Sequence, residues 1–107
     1  MAAIASPERV RTLALPALAE PLRWRIVQLL AKEELCVCHL VEELDVSQSL
    51  VSHHLKVLRD AGVVACERWS YWTYYRLLPD ALHFLATGLT ELAGAATERG
   101  AERRPCC

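Results

Sequence analysis

Apolar side chains recur at steps of three and four residues through most of this sequence and give way once to a β-branched, aromatic-rich stretch, which predicts five helices and one strand pair. Ser6 can cap a first helix whose opening turn holds Pro7 and Glu8 and which runs through Val10, Leu13 and Ala14 until Pro16 breaks it. Glu20 and Pro21 open a second, with Leu22, Ile26, Leu29 and Leu30 at helical spacing and Arg23 and Arg25 off that face. A short third helix begins near Cys36, with Leu40, Val41 and Leu44 on its apolar face, and Asp45 and Val46 turn the chain. Ser47 caps a fourth, Gln48 to Asp60, in which Leu50, Val51, Leu55 and Leu58 point inward and Ser49, Ser52, His53 and Lys56 outward. Ala61 and Gly62 end it, the glycine being suited to a left-handed closing residue.

After Gly62 the period shortens. Residues 63–69 and 72–77 read as the strands of a hairpin around Ser70 and Tyr71, and the lack of Gly or Asn at the tip predicts a loop longer than two residues. Pro79 starts the last helix, in which Leu82, Leu85, Leu89, Leu92 and Ala96 recur at alternating steps of three and four. Such a seam, joined by Val10 and Leu13, suits pairing with a second copy; the alternative is packing on its own domain, and Gly88 and Gly94 weaken the helix. The expected architecture is mainly α with a small β-hairpin, a winged helix-turn-helix forming a homodimer through its terminal helices. Residues 1–97 form that domain, and residues 98–107 are a charged, apolar-poor tail ending in Cys106 and Cys107.

Composition narrows the class. A chain of 107 residues makes one domain, small enough for a partner copy to supply part of its stability. Its apolar runs are broken by Arg, Glu or His well short of the roughly 20 residues of a membrane span, and its start lacks a signal-peptide pattern, so the expected location is the cytoplasm and no membrane partner is expected. Five cysteines in such a chain point to metal or redox chemistry of reduced thiols rather than to a disulfide framework. Net charge is only −1, but it is unevenly spread: residues 33–45 carry Glu33, Glu34, Glu42, Glu43 and Asp45, whereas residues 47–76 carry Lys56, Arg59, Arg68 and Arg76 against Asp60 and Glu67. The second segment can face phosphate, and the first suits a cation.

The two short helices and the wing place Ser47, Gln48, Ser49, Ser52, His53 and His54 where a recognition helix meets base edges in the major groove of double-stranded DNA. Lys56 and Arg59 on the helix and Arg68 and Tyr71 on the wing would serve phosphates. No catalytic constellation or site for a small organic substrate competes with this reading, and an enzyme is not expected. A thiol redox enzyme at Cys36 and Cys38 or at Cys106 and Cys107 is weak, since Cys-Xaa-Cys is not Cys-Xaa-Xaa-Cys and the neighbouring glutamates oppose thiolate formation.

The run Leu35-Cys36-Val37-Cys38-His39-Leu40, the helix Ser47-Gln48-Ser49-Leu50-Val51-Ser52-His53-His54-Leu55-Lys56 through Gly62-Val63-Val64, and the strand Tyr74-Tyr75-Arg76-Leu77 resemble the ArsR/SmtB family, and among its members the arsenical-resistance repressors. The resemblance covers roughly residues 8–95 and implies a homodimer that binds an operator when empty and releases it when loaded with arsenite or antimonite. Soft thiolates select such ions, and a trivalent metalloid takes three of them in a pyramid. Only Cys36 and Cys38 are local: where the resemblance would place a third cysteine, this chain has Val41. Candidates for the third ligand are Cys106 or Cys107, from the same or the partner chain, and His39; Cys66 reads as a small buried hydrophobe. Zinc- and nickel-sensing relatives use Asp, His and Glu of the last helix, where this chain offers Asp80, His83 and Glu91.

Residues i and i+2 of a regular helix stand about 200° apart, so Cys36 and Cys38 share an ion only if the helix start is remodelled. That remodelling would displace the brace helix and, behind it, the reading surface. The helix N-terminus should also lower the thiol pKa values. The alternatives are a repressor sensing a divalent soft metal (cadmium, lead or zinc) and a repressor sensing redox state at the same thiols.

Overall fold

The structure, a computed structural model, describes Glu8, residues 10–101 and 103–106. The expected cap at Ser6 and Pro7 and the terminal Cys107 lie outside the described residues. A π-type turn, Val10–Ala14, runs directly into helix α1, Leu15–Ala19. Pro16, whose residue type predicts a break, therefore does not end the helical run: it stands at the start of α1, directly after the π-type turn.

Helix α2, Pro21–Leu30, begins as expected, with the Glu20 carboxylate accepting from the backbone N–H of Leu22 at 3.0 Å and of Arg23 at 2.9 Å. Strand β1, Leu35–Cys36, leads into helix α3, Val37–Leu44, and Asp45 closes α3 in the left-handed region at φ 54°. Helix α4, Gln48–Asp60, starts at the Ser47 hydroxyl, which accepts from Leu50 N–H at 3.2 Å, and ends before Gly62 at φ 78°. Strands β2, Val64–Trp69, and β3, Trp72–Leu77, form the wing, and helix α5, Pro79–Glu98, completes the described elements.

The sheet is antiparallel with order β1-β3-β2, so the expected strand pair gains a third, two-residue member. Leu35 faces Tyr75 and Cys36 faces Tyr74 across β1 and β3, which ties the start of the helix-turn-helix to the wing. In the hairpin Trp69 pairs with Trp72, leaving a loop of Ser70 and Tyr71 alone. The expected longer loop is thus corrected: Ser70 adopts φ 58°, at a cost of about 1–2 kcal/mol for an L-residue in that region.

The core centres on Ile26, Leu40, Val51, Leu55, Leu58, Val63 and Val64, all fully buried. On α4 the buried seam runs through Val51, His54, Leu55 and Leu58, steps of three and four along one face. Leu50 lies outside that seam and is 39% exposed, whereas His54 lies on it and is 8% exposed, which reverses the expected placement of both. Helix α5 is different. Leu85 is its one buried side chain among the described residues, Leu82 is half-buried, and Leu89 and Leu92 are exposed. The molecule is correspondingly elongated, 62 × 32 × 25 Å with a radius of gyration of 17.5 Å, against about 13 Å for a compact chain of this length. No helix among the described residues is long and apolar enough to cross a membrane.

Candidate thiol site and nucleic-acid interface

Strand β1 ends where α3 begins, and Cys36 occupies that junction. Its backbone is extended (φ −92°, ψ 170°), and it serves as the N-cap of α3 rather than as a helical residue. The 200° separation expected of two helical cysteines therefore does not apply. An extended cap turns the Cys36 side chain back over the first turn, and its Sγ stands 2.8 Å from Cys38 Sγ without any unwinding of α3. His39, the third residue of the helix, closes a reciprocal cap: its Nδ1 accepts the Cys36 backbone N–H at 3.1 Å and lies 3.2 Å from Cys36 Sγ. Donor atoms of Cys36, Cys38 and His39 all lie within 4.8 Å of one another.

The two thiols titrate apart. Burial pushes the Cys36 thiol up, but the hydrogen bonds it receives from Cys38 and from the backbone N–H groups of His39 and Cys38 outweigh burial and hold it below the ordinary cysteine value. Cys38 moves the other way, raised first by its hydrogen bond to Cys36, then by desolvation and by the negative charge on Cys36. The two shifts are opposite faces of one shared hydrogen bond, and capture of an ion by both sulfurs releases whatever protons they still hold.

Cys106 is exposed and stands outside this group. Cys66 is half-buried on β2, with Arg59 Nη1 3.7 Å from its Sγ. Asp80, His83 and Glu91 are all exposed and form no ligand cluster among the described residues.

On the face expected to meet DNA, Ser47, Gln48, Ser49, Ser52, His53, Lys56 and Arg59 are exposed along α4 and its cap. Ser47 is engaged as the cap, and Lys56 is paired with Asp60 at 2.8 Å across one helical turn, a solvent-exposed ion pair worth little to stability. Arg68 lies on the wing with its Nε donating to Ser70 carbonyl at 3.1 Å, and Tyr71 at the tip is 88% exposed.

His54 does not join this surface, contrary to its expected role. Arg23 Nη1 donates to His54 Nδ1 at 2.9 Å, Arg23 Nε donates to the Ala17 carbonyl at 2.8 Å, and Glu20 Oε2 lies 3.6 Å from the same imidazole nitrogen. Because a guanidinium only donates, Nδ1 must accept, which leaves His54 neutral with its proton on Nε2. Desolvation, opposed by Glu20 and reinforced by Arg23 and His53, holds its pKa below the ordinary value. His54 is therefore a brace between α2 and α4. Sequence reasoning also passes over the exposed wing tryptophans, Trp69 and Trp72, which the aromatic content of the hairpin places at its tip.

Residues 20–65 match the family described as bacterial regulatory protein, arsR family. The chain is 40% identical over 82 residues to the arsenic resistance transcriptional regulator ArsR1 of Pseudomonas putida, covering 76% of this chain and 64% of that one. It is 50% identical over 72 residues to the HTH-type transcriptional repressor SmtB of Mycobacterium tuberculosis, covering 67% of this chain and 51% of that one. The matched part thus spans about half to two thirds of the length of these two curated relatives. Among solved structures, a possible transcriptional regulator for arsenical resistance is 35% identical with a TM-score of 0.66, over 80% of this chain and 95% of that one.

Proposed function

Because the chain belongs to the arsR family of bacterial regulatory proteins, which are winged helix-turn-helix DNA-binding regulators and not enzymes, we propose that it is a cytoplasmic, homodimeric repressor that holds double-stranded operator DNA when empty and releases it when arsenite or antimonite is captured by Cys36 and Cys38. The observation that carries this reading is the convergence of two thiols and one imidazole at the junction of β1 and α3, a donor set that suits a thiophilic ion.

The position of that junction supports a route to the DNA. The Cys36 Sγ and His39 Nδ1 that would hold the ion are the acceptors that cap α3, so ligation and capping compete for the same lone pairs. Losing an N-cap costs about 1 kcal/mol, within the 1–3 kcal/mol typical of allosteric coupling, which lowers DNA affinity by about 5- to 150-fold. Cys36 is also paired to Tyr74 of the wing, so a shift there reaches both DNA-facing elements. His39 is the third donor nearest at hand; Cys106 or Cys107 reaching in from either chain is the alternative.

The exposed side of α5 supports the dimer. Leu13, Leu82, Leu89 and Leu92 remain available, with a groove of about 390 Å³ beside Arg11, Leu15 and Phe84. Val10 and Leu85, also expected at that interface, are buried within the protomer's own core.

Fluorescence anisotropy of a labelled duplex from upstream of the protein's own coding region, titrated with arsenite, antimonite, cadmium, zinc and peroxide in turn, tests the proposal. Arsenite and antimonite should release the DNA, and Cys36→Ser, Cys38→Ser should bind it normally but ignore both. Release of that double variant by arsenite would sink the thiol reading, and release of the unaltered protein by zinc alone would favour the divalent-metal alternative. The 2.8 Å sulfur separation favours one further reading, oxidation of the pair to a disulfide by peroxide with formation of two waters, and release by peroxide alone would select it.

A further inference from the structure

A cleft of about 420 Å³ opens from the two thiols toward the wing tip, and its walls include Cys36, Cys38, Val41, Gln48, Tyr71 and Trp72. We infer that, among trivalent arsenicals, the site prefers one bearing a single aromatic ring, its arsenic held by Cys36 and Cys38 and its ring seated in this cleft between Val41 and the wing aromatics. This deepens the proposed function and rests on its reading of Cys36 and Cys38 as inducer thiols.

The ligand count fits. A monosubstituted arsenical, R–As(OH)2, reacts with two thiols to give R–As(S-Cys)2 and two waters; each hydroxyl leaves with a thiol proton, and arsenic stays trivalent. The arsenic–carbon bond fills the third corner of the pyramid, so no third thiol is needed. Val41, which stands where a local third thiol would be expected, instead supplies an apolar wall of the same cleft.

The volume and the walls fit as well. An apolar cavity of roughly 150 Å³ accommodates benzene, so the cleft has room for a ring on arsenic. Trp72 is 57% and Tyr71 88% exposed, large apolar faces left open beside a ligand site rather than packed into the core. Gln48, the first residue of the reading helix, borders the same space, so a seated ring abuts both elements that face DNA.

Calorimetric titration of the reduced, DNA-free protein with phenylarsonous acid, methylarsonous acid and arsenite tests the inference. Methyl and phenyl compounds demand the same two sulfurs, so their difference reads the cleft. Phenyl should bind about tenfold more tightly than methyl, the expected effect of burying an aromatic ring. In a Tyr71→Ala, Trp72→Ala variant that advantage should fall to about twofold or less while methyl binding is unchanged. Val41→Cys, on a separate element, should tighten arsenite by about tenfold or more without helping the phenyl compound, because only arsenite has a third oxygen to exchange. Equal binding of phenyl and methyl by the unaltered protein, or a preference that survives the wing substitutions, overturns the ring seat alone. Undiminished binding of all three compounds by Cys36→Ser, Cys38→Ser overturns the proposed function and the ring seat together.

Discussion

Helices α4 and α5 carry the same signal, apolar residues at steps of three and four, and the structure uses it in opposite ways. On α4 the seam of Val51, His54, Leu55 and Leu58 is buried in the protomer; on α5 the seam of Leu82, Leu85, Leu89 and Leu92 is buried at Leu85 alone. Helix α4 is flanked by α3, α2 and β2, whereas α5 packs chiefly against the π-type turn, and the molecule is drawn out along a 62 Å axis. An apolar stripe therefore reports that a face must be covered. It does not report by what.

The largest effect is expected on α5. Leu89→Asp, Leu92→Asp places two carboxylates per protomer on the exposed seam without touching the protomer core. Burying a leucine is worth about 1.5–3 kcal/mol, and two from each chain make the loss more than about 6 kcal/mol, or roughly ten-thousandfold in dimer dissociation constant. Sedimentation equilibrium should show monomers at micromolar concentration, while far-UV circular dichroism stays at its original helix content. Loss of that helix content would mean that the α5 seam is core of the protomer, and the contrast with α4 would disappear.

On α4 the complementary change is smaller and of another kind. Leu55 is fully buried, so Leu55→Ala should lower the unfolding free energy by about 2–5 kcal/mol through lost transfer energy and an unfilled cavity. Denaturant melts at one fixed protein concentration should show it, because a dimer's midpoint otherwise moves with concentration. Leu92→Ala in the same assay should leave the monomer's unfolding near its original value and act only on association. Equal effects of the two substitutions on the isolated protomer would erase the distinction.

The difference between the seams also shows what is legible in the sequence. Element boundaries at Glu20 and Pro21, at Ser47, at Gly62 and at Pro79 can be read directly, because each rests on a local cap or break that a few residues determine. The run around Cys36 and Cys38 is equally legible as a place where two thiols lie close in sequence. Its geometry is not, because one residue decides it: with Cys36 inside the helix the sulfurs diverge, and with Cys36 as an extended cap they meet. Strand β1 is the reason Cys36 is extended, and two residues are too few to show a period. The Ser70–Tyr71 turn is hidden for a related reason, since serine enters the left-handed region only when the pairing of Trp69 with Trp72 compels it. Leu50 and His54 trade places because residue type predicts the leucine inside, while the 3.6-residue period, which controls the packing, puts the histidine there.

His54 supplies the finest test of the contrast, because it is the polar member of an otherwise apolar buried seam and α5 has no counterpart. Its pKa is lowered, chiefly by desolvation, so the folded protein binds fewer protons here than the unfolded chain, whose imidazole titrates near 6.5. Stability from this group is therefore complete above pH 6.5 and is lost as pH falls from 6.5 through the lower folded value. Protonation removes the lone pair that accepts from Arg23, replacing a hydrogen bond by two cations 2.9 Å apart, with the Glu20 carboxylate as partial compensation. The loss should be about 1 kcal/mol between pH 7 and pH 5, the net worth of one hydrogen bond. His54→Gln, whose amide oxygen can accept from the same guanidinium but does not titrate, should flatten that slope. Glu20, whose carboxyl is lowered by its backbone hydrogen bonds, loses its contribution only nearer its ordinary value of 4.5 and below, so the two groups separate along the pH axis. An unchanged slope in His54→Gln would place the titrating group elsewhere and leave the buried seam of α4 as indifferent to pH as the exposed leucines of α5.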